Sequence, residues 1–262
     1  MNDHELAAWL AQTAGQQLLK LRSETVVPEG DAVAAKALAL KGDSSANDYL
    51  IAELIKHRPE DSILSEEAKD DDVRLSANRV WIIDPVDGTF EYARSLPEFA
   101  VHVALWDASE KRLIAGAISL PNHDLVYATD DVPLDVDRVD TSRPLTIFAS
   151  PRETVEVVEK LKNGLADIAA EYGFSGVEVR NCGSVGGKVY QILSGAADVY
   201  VSSVGFYEWD SAAPAAVAAH HGLKVSDISQ SSLMFNQMPP KTPSFLAARP
   251  WLYAAAVAAL RN

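Results

Sequence analysis

Two carboxylates stand three residues apart in the run Trp81-Ile82-Ile83-Asp84-Pro85-Val86-Asp87-Gly88-Thr89. The apolar residues deliver Asp84 to the end of a strand, and Pro85, which has no backbone N–H, stops the ladder there. Gly88 then permits a tight bend toward Thr89. Two acids on one sharp turn do not both stay ionised cheaply unless a cation sits between them. Hard divalent ions such as Mg²⁺ take oxygen ligands and keep several waters, so this spacing reads as part of a metal site. The competing reading is an Asx-type turn in which Asp87 caps the bend, a common use of Asp-Gly.

Two further acidic clusters flank this one in the chain. Upstream, Ser65-Glu66-Glu67 follows a short apolar run, which makes it a second strand end carrying acids; adjacent acids also serve as a solvated surface. Downstream, Glu208-Trp209-Asp210-Ser211-Ala212-Ala213 places Asp210 at the start of an Ala-rich helix. There it is either an N-cap or a third carboxylate kept anionic by the helix dipole. Three acidic clusters at element ends are what a two-metal phosphatase needs, where one ion activates a water and the other stabilises the leaving oxygen. A last patch, Asn181-Cys182-Gly183-Ser184-Val185-Gly186-Gly187-Lys188, puts Lys188 on the same helical face as Ser184. It is not a Walker A loop, and its plain reading is a Gly-rich helix start with a solvated lysine. Cys182 reads as a small buried hydrophobe. His102, His123, His220 and His221 show no metal-ligand spacing and read as packing residues.

The elements that must position these residues follow from periodicity. Leu6, Trp9, Leu10, Ala14, Leu18 and Leu21 predict an opening amphipathic helix, broken at Thr25 to Gly30. A second helix is expected from near Ser45, with Pro59 beyond its end. Short β-like runs follow at 62–64, 80–83, 101–106, 113–119 and 125–128. Residues 129–144 are acidic, carry two prolines and lack periodicity, and mark a boundary between lobes. Beyond it, strands at 145–149, 177–179 and 199–201 alternate with helices at 154–172, 184–193, 210–220 and 250–260, as in an α/β lobe.

Composition narrows the partners. The 262 residues carry 23 Lys plus Arg against 37 Asp plus Glu, a net charge of −14. That field repels nucleic-acid backbones, while a small phosphate ester can bind where a metal or a local lysine corrects the sign. One cysteine excludes an intrachain disulfide and a Cys-rich zinc site. The opening MNDHELAAWLAQ has no basic or apolar leader region, so no signal peptide is expected. No apolar run approaches a membrane span, and a cytoplasmic location is the expectation.

Taken together, Glu66-Glu67, the DPVDGT run from Asp84 to Thr89 and Trp209-Asp210-Ser211-Ala212-Ala213 resemble the Mg²⁺-dependent, lithium-sensitive phosphatase superfamily of inositol monophosphatase and fructose-1,6-bisphosphatase. The motifs occur in the family order and span nearly the whole chain. Phe90-Glu91-Tyr92, Glu98-Phe99-Ala100-Val101, the Glu before Trp209-Asp210, and Phe235-Asn236 are most similar to CysQ-type 3′(2′),5′-bisphosphate nucleotidases. The resemblance implies a layered αβαβα sandwich of α/β (α+β) class. Residues 1–140 would form an N-terminal α+β lobe with the EE and DPVDGT motifs, and residues 141–262 a C-terminal α/β lobe with GS…K and WDSAA. It implies two or three Mg²⁺ ions, the first held by Glu66, Asp84 and the Val86 carbonyl and the second by Asp84, Asp87 and Asp210. Thr89 with Glu66 would position the nucleophilic water, and Gly88 and Thr89 N–H groups the phosphate. Gly183, Ser184 and Lys188 would contact the nucleoside and its other phosphate, Lys188 supplying the local charge that the acidic field lacks. The implied reaction removes the 3′-phosphate of adenosine 3′,5′-bisphosphate, and of its relative 3′-phosphoadenylyl sulfate, with inositol phosphate or fructose bisphosphate as the rival substrates and an idle metal or nucleotide sensor as the non-enzymatic alternative. A homodimer is the family-level expectation. One departure stands out: the family's Asp that partners the catalytic Thr aligns with Asn47, with Asp43 or Asp48 as the alternatives.

Overall fold

The computed structural model describes residues 1–261. Helix α1 (Asp3–Ser23) opens on a capping box in which Asn2 and Glu5 satisfy each other's backbone N–H groups. Helix α2 (Ala32–His57) is capped by the Asp31 carboxylate, which accepts from Val33 N and Ala34 N. It therefore begins well before the expected Ser45. Residues 32–41 are strong helix formers, and Gly42 does not end the helix: a Cβ there would stand 2.5 Å from the Tyr92 ring, so glycine permits a close approach.

The first sheet contains β1 (Ser62–Ser65), β2 (Arg79–Asp87), β3 (Ala100–Asp107), β4 (Arg112–Leu120) and β5 (Leu125–Ala128), neighbours in that order. The β1–β2 pair is parallel and the others are antiparallel. A short helix, α3 (Thr89–Ala93), joins β2 to β3. The segment 129–144 leads to the second sheet, formed by β6 (Leu145–Ala149), β7 (Val177–Asn181), β8 (Val199–Ser202), β10 (Lys224–Ser226) and β12 (Phe245–Ala248). Its strand order is β10-β12-β8-β6-β7. β9 (Phe206–Tyr207) and β11 (Lys241–Thr242) form a small antiparallel pair. The expected single helix over 154–172 is two, α4 (Val155–Gly164) and α5 (Ala166–Glu171), separated at Leu165. Gly164 there lets α4 approach Ala259, which a Cβ would meet at 2.3 Å. The remaining helices are α6 (Val185–Leu193), α7 (Glu208–His220) and α8 (Pro250–Arg261).

Strand alternation stacks these elements in five layers. Trp81 and Ile83 of β2 join Val101, Val103 and Leu105 of β3 in a core shared with α1 and α2. Val80 and Ile82 face the other way, into a core filled by α6 and α7 and closed by Tyr200, Phe245 and Ala247 of the second sheet. Val199, Val201, Leu246 and Ala248 pack on α4, α5 and α8. The order is helix, sheet, helix, sheet, helix, the αβαβα sandwich expected from the motifs. No helix among the described residues is long and apolar enough to cross a membrane.

Candidate active site

The parallel register pairs Ser65 of β1 with Ile83 of β2. The next residue on each strand is then Glu66 beside Asp84, at the same edge of the first sheet. On β2 a bulge does the decisive work. Asp84 pairs with His102 and Asp87 with Ala100, so three steps on β2 match two on β3. In a regular strand, residues three apart point to opposite faces. The extra residue in Pro85-Val86 returns Asp87 to the face of Asp84, the one that fronts α6 and α7. Helix α7 brings Asp210 in its first turn to the same place, with Oδ2 accepting from Tyr207 N at 2.8 Å. Asp84, Asp87 and Asp210 each offer a carboxylate oxygen within 4.8 Å of the others.

The electrostatics identify what this cluster suits. Burial, followed by the charges of Glu66, Asp87 and Asp210, pushes the Asp84 carboxyl well above its ordinary range. Burial and then Asp87 raise Asp210 to about 6. Burial and then Asp210 raise Glu66, which stays open to solvent on one side. Asp87 goes the other way: burial alone would raise it, but His102, Lys188 and the Ser184 hydroxyl outweigh that and hold it low. Three convergent carboxylates, two of them resisting ionisation, form a donor set complementary to hard divalent cations. The residues therefore fit the implied metal. Glu66, Asp84, Asp87 and Asp210 supply the carboxylates, and the Val86 carbonyl lies between Asp84 and Asp87, accepting from Thr89 Oγ1 at 3.0 Å.

The structure revises the partner of Thr89. Asn47 Oδ1 accepts from Ser65 Oγ at 2.7 Å, beneath the end of β1. Asp43, one turn earlier on α2 and buried, lies against the Thr89 hydroxyl. Burial and then Glu67 raise its carboxyl to about 7, partly offset by that hydroxyl. The missing acid is thus present. The buried face of α2 contains Leu38, Gly42, Asp43, Ala46, Asn47 and Leu50, and an Asp on an apolar face was the available signal.

The Gly183–Lys188 patch also differs from expectation. Ser184 is fully buried; its Oγ donates to Asp87 Oδ2 at 2.6 Å and accepts from Gly187 N at 2.8 Å, capping α6. Gly183 N donates to Glu91 Oε1 at 3.1 Å. Lys188 is not a solvated lysine: it is buried, and Nζ donates to the Cys182 and Gly183 carbonyls at 3.0 Å each, 5.0 Å from the Tyr200 ring centroid. Helical spacing gives its face but not the fact that this face packs against β8, where the ammonium braces the turn from below. Cys182 is part-buried with Sγ 3.4 Å from the Ser184 carbonyl. Three histidines do pack as expected, His123 on Tyr190, His221 on Tyr127, and His220 through Asp131 O. His102 is packed in the core as well, wholly buried, but with Nε2 3.1 Å from Asp87 Oδ2, a contact the spacing did not indicate.

Comparison with known proteins places this geometry. The 3′-phosphoadenosine 5′-phosphate phosphatase of Mycobacterium leprae is 35% identical over 258 residues, covering 95% of this chain and 90% of the relative. The protein of that name from Mycobacterium tuberculosis is 36% identical over 241 residues, covering 90% and 85%. Among solved structures, CysQ from Bacteroides thetaiotaomicron, a bacterial member of the inositol monophosphatase family, superposes with a TM-score of 0.74 at 25% identity, over 94% of this chain and 97% of that one. The model of the inositol monophosphatase family matches residues 3–262. With the five-layer fold and the convergent acids, that match across almost the entire length shows that the chain belongs to the inositol monophosphatase family.

Proposed function

We propose that this protein hydrolyses the 3′-phosphate of adenosine 3′,5′-bisphosphate to give AMP and phosphate, with 3′-phosphoadenylyl sulfate as a second substrate and Mg²⁺ as its metal. The observation that carries the substrate is the near full-length likeness to the two mycobacterial phosphatases. The acidic cluster supports the metal requirement. Glu66, Asp84 and the Val86 carbonyl would hold one ion, and Asp84, Asp87 and Asp210 a second, with Asp84 shared. Bound there, divalent ions supply charge neutralisation and activation of a water. Thr89 orients that water through its hydroxyl, and Asp43, with a carboxyl near 7, is placed to take up the proton relayed through Thr89 Oγ1. The Gly88 and Thr89 N–H groups, at a helix start where the helix provides no acceptor, face the phosphoryl oxygens. The P–O3′ bond breaks as the water oxygen bonds to phosphorus, and the departing 3′ oxygen takes a proton from solvent to give the free hydroxyl of AMP.

The Gly183–Ser184 turn borders this site through Glu91 and Asp87, which supports a nucleoside end lying along its backbone, with Lys188 bracing the turn instead of touching phosphate. All the acids and Thr89 are present, which disfavours an idle sensor. A phosphate-release panel over adenosine 3′,5′-bisphosphate, inositol 1-phosphate and fructose 1,6-bisphosphate, with and without Mg²⁺, tests the reading. The highest kcat/KM is expected on the nucleotide; a preference for either sugar phosphate, or release without divalent metal, refutes it.

A further inference from the structure

Asp87 Oδ2 accepts two hydrogen bonds from the start of α6, Ser184 Oγ at 2.6 Å and Gly186 N at 2.8 Å, and His102 Nε2 of β3 stands 3.1 Å from the same oxygen. A carboxylate oxygen has about two lone-pair sites, so Oδ2 is fully used and only Oδ1 is left for a metal. The imidazole has little freedom to leave this arrangement. It is fully buried, and a Cβ on Gly186 would stand 2.4 Å from Nε2, so the helix backbone lies directly against the ring. Its other nitrogen, Nδ1, is 3.3 Å from the Trp209 carbonyl, in the residue before Asp210.

We propose that His102 is a positioning residue for the metal site, turning Asp87 so that Oδ1 alone faces the ions and setting the first turn of α7 against β3 through Trp209. This rests on the reading of Asp84, Asp87 and Asp210 as metal ligands. Partners that orient ligands in this way commonly change metal affinity ten- to a hundredfold when removed. The two contacts can be separated, because a glutamine places its amide near the reach of Nε2 and an asparagine only near that of Nδ1.

The test is Mn²⁺ binding to the metal-free full chain, followed by electron paramagnetic resonance, for wild type, His102→Gln and His102→Asn, with thermal unfolding of each. Both variants lose the ring and its packing, so a space-filling role would affect them alike. Positioning through Asp87 predicts that His102→Gln binds Mn²⁺ within about threefold of wild type and that His102→Asn binds about ten- to a hundredfold more weakly. Equal affinities for the two variants, both normal or both reduced, overturn the proposal. Ser184→Ala removes a different donor from the same oxygen while leaving the imidazole in place; it is expected to weaken Mn²⁺ binding as well, and an unchanged affinity overturns the proposal even if His102→Asn fails to fold. A wild type that binds no Mn²⁺ refutes the ligand reading itself, and the role of His102 falls with it.

Discussion

Asp84 has more depending on it than any other side chain of the site: it is buried, flanked by Glu66, Asp87 and Asp210, and its Oδ1 accepts from Val86 N at 3.0 Å. An asparagine keeps that acceptor and removes the charge. Asp84→Asn is therefore expected to lower turnover more than a hundredfold at saturating Mg²⁺ while raising the unfolding temperature of the metal-free protein, since it relieves carboxylate repulsion. Near wild-type turnover would sink the metal assignment. Asp43 and Asn47 separate in the same way. On the proposed mechanism, Asp43→Asn leaves Thr89 without its acid and should cost about 10²-fold in kcat. Asn47→Asp, harmless if Asn47 stood at the family's acidic position, instead buries a second charge below Glu66 and should cost about 1–3 kcal/mol of stability; thermal scans and initial rates decide between the two. The acids that converge in the cleft were legible in the sequence because each sits at an element end with its spacing intact. Asp43 was legible only as one of two alternatives, and the contact of His102 and the inward turn of Lys188 not at all, since their meaning depends on Thr89, Asp87 and Tyr200, which the chain alone does not place beside them.

At the scale of elements, two local irregularities assemble the site. The β2 bulge puts Asp84 and Asp87 on one face, and the start of α7 is clamped from outside. Glu208 is fully buried, and its two oxygens accept from Asn236 N and Gln237 N at 2.7 Å each. Asn236 is in turn held by buried Arg74, whose Nη1 donates to its Oδ1 at 2.6 Å. Arg74 follows the Glu66-Glu67 acids in the chain, so one network ties the turn bearing Asp210 to the segment after Glu66. Burial raises the Glu208 carboxyl to about 7, against the pull of the two N–H groups. In Glu208→Gln one backbone N–H faces an amide N–H instead of an oxygen. A cost of about 1–3 kcal/mol is expected, which is roughly 2–4 °C in the unfolding temperature for each kcal/mol, together with weaker Mg²⁺ activation. Unchanged values for both would show that the clamp does not hold Asp210. The sequence indicated the Glu as nucleotidase-like but not its partners, because the 227–240 loop has no periodicity. The same gap hid β10 and β12: runs of three and four residues, the second between Pro243 and Pro250, carry too short a pattern to separate from loop.

For the whole molecule, the arrangement explains how a chain of net charge −14 keeps four acids in one cleft. Burial and mutual repulsion raise the carboxyls of Asp84, Asp210 and Glu66, and this has a definite sign. A carboxyl whose folded pKa lies above its unfolded value binds its proton more tightly in the folded state. Its folded form is then favoured at low pH, and that advantage is lost as pH rises through the folded pKa. From ordinary values near 4, Asp43 at about 7 and Asp210 at about 6 place this loss between roughly pH 4 and 7, with its last part running to about pH 8, and Glu66 and Glu208 are raised in the same direction. For buried Asp43 alone the upper bound is about 4 kcal/mol, and a third of that would move the unfolding temperature by several degrees. His221 opposes the trend at the acid end, because burial lowers its pKa and it must gain a proton below about 6.5. The window from pH 6.5 to 8 isolates the carboxyls. In EDTA, the protein is expected to melt several degrees higher at pH 6.5 than at pH 8. Excess Mg²⁺ should abolish most of that difference by stabilising the pH 8 form, since the ion replaces the protons on Asp84, Asp210 and Glu66. Asp84→Asn should shrink both the pH step and the Mg²⁺ shift. A metal-free protein equally stable at both pH values, or a Mg²⁺ shift as large at pH 6.5 as at pH 8, would mean that the acids of the cleft are solvated and ionised throughout, and that the cation site is not built on their mutual repulsion.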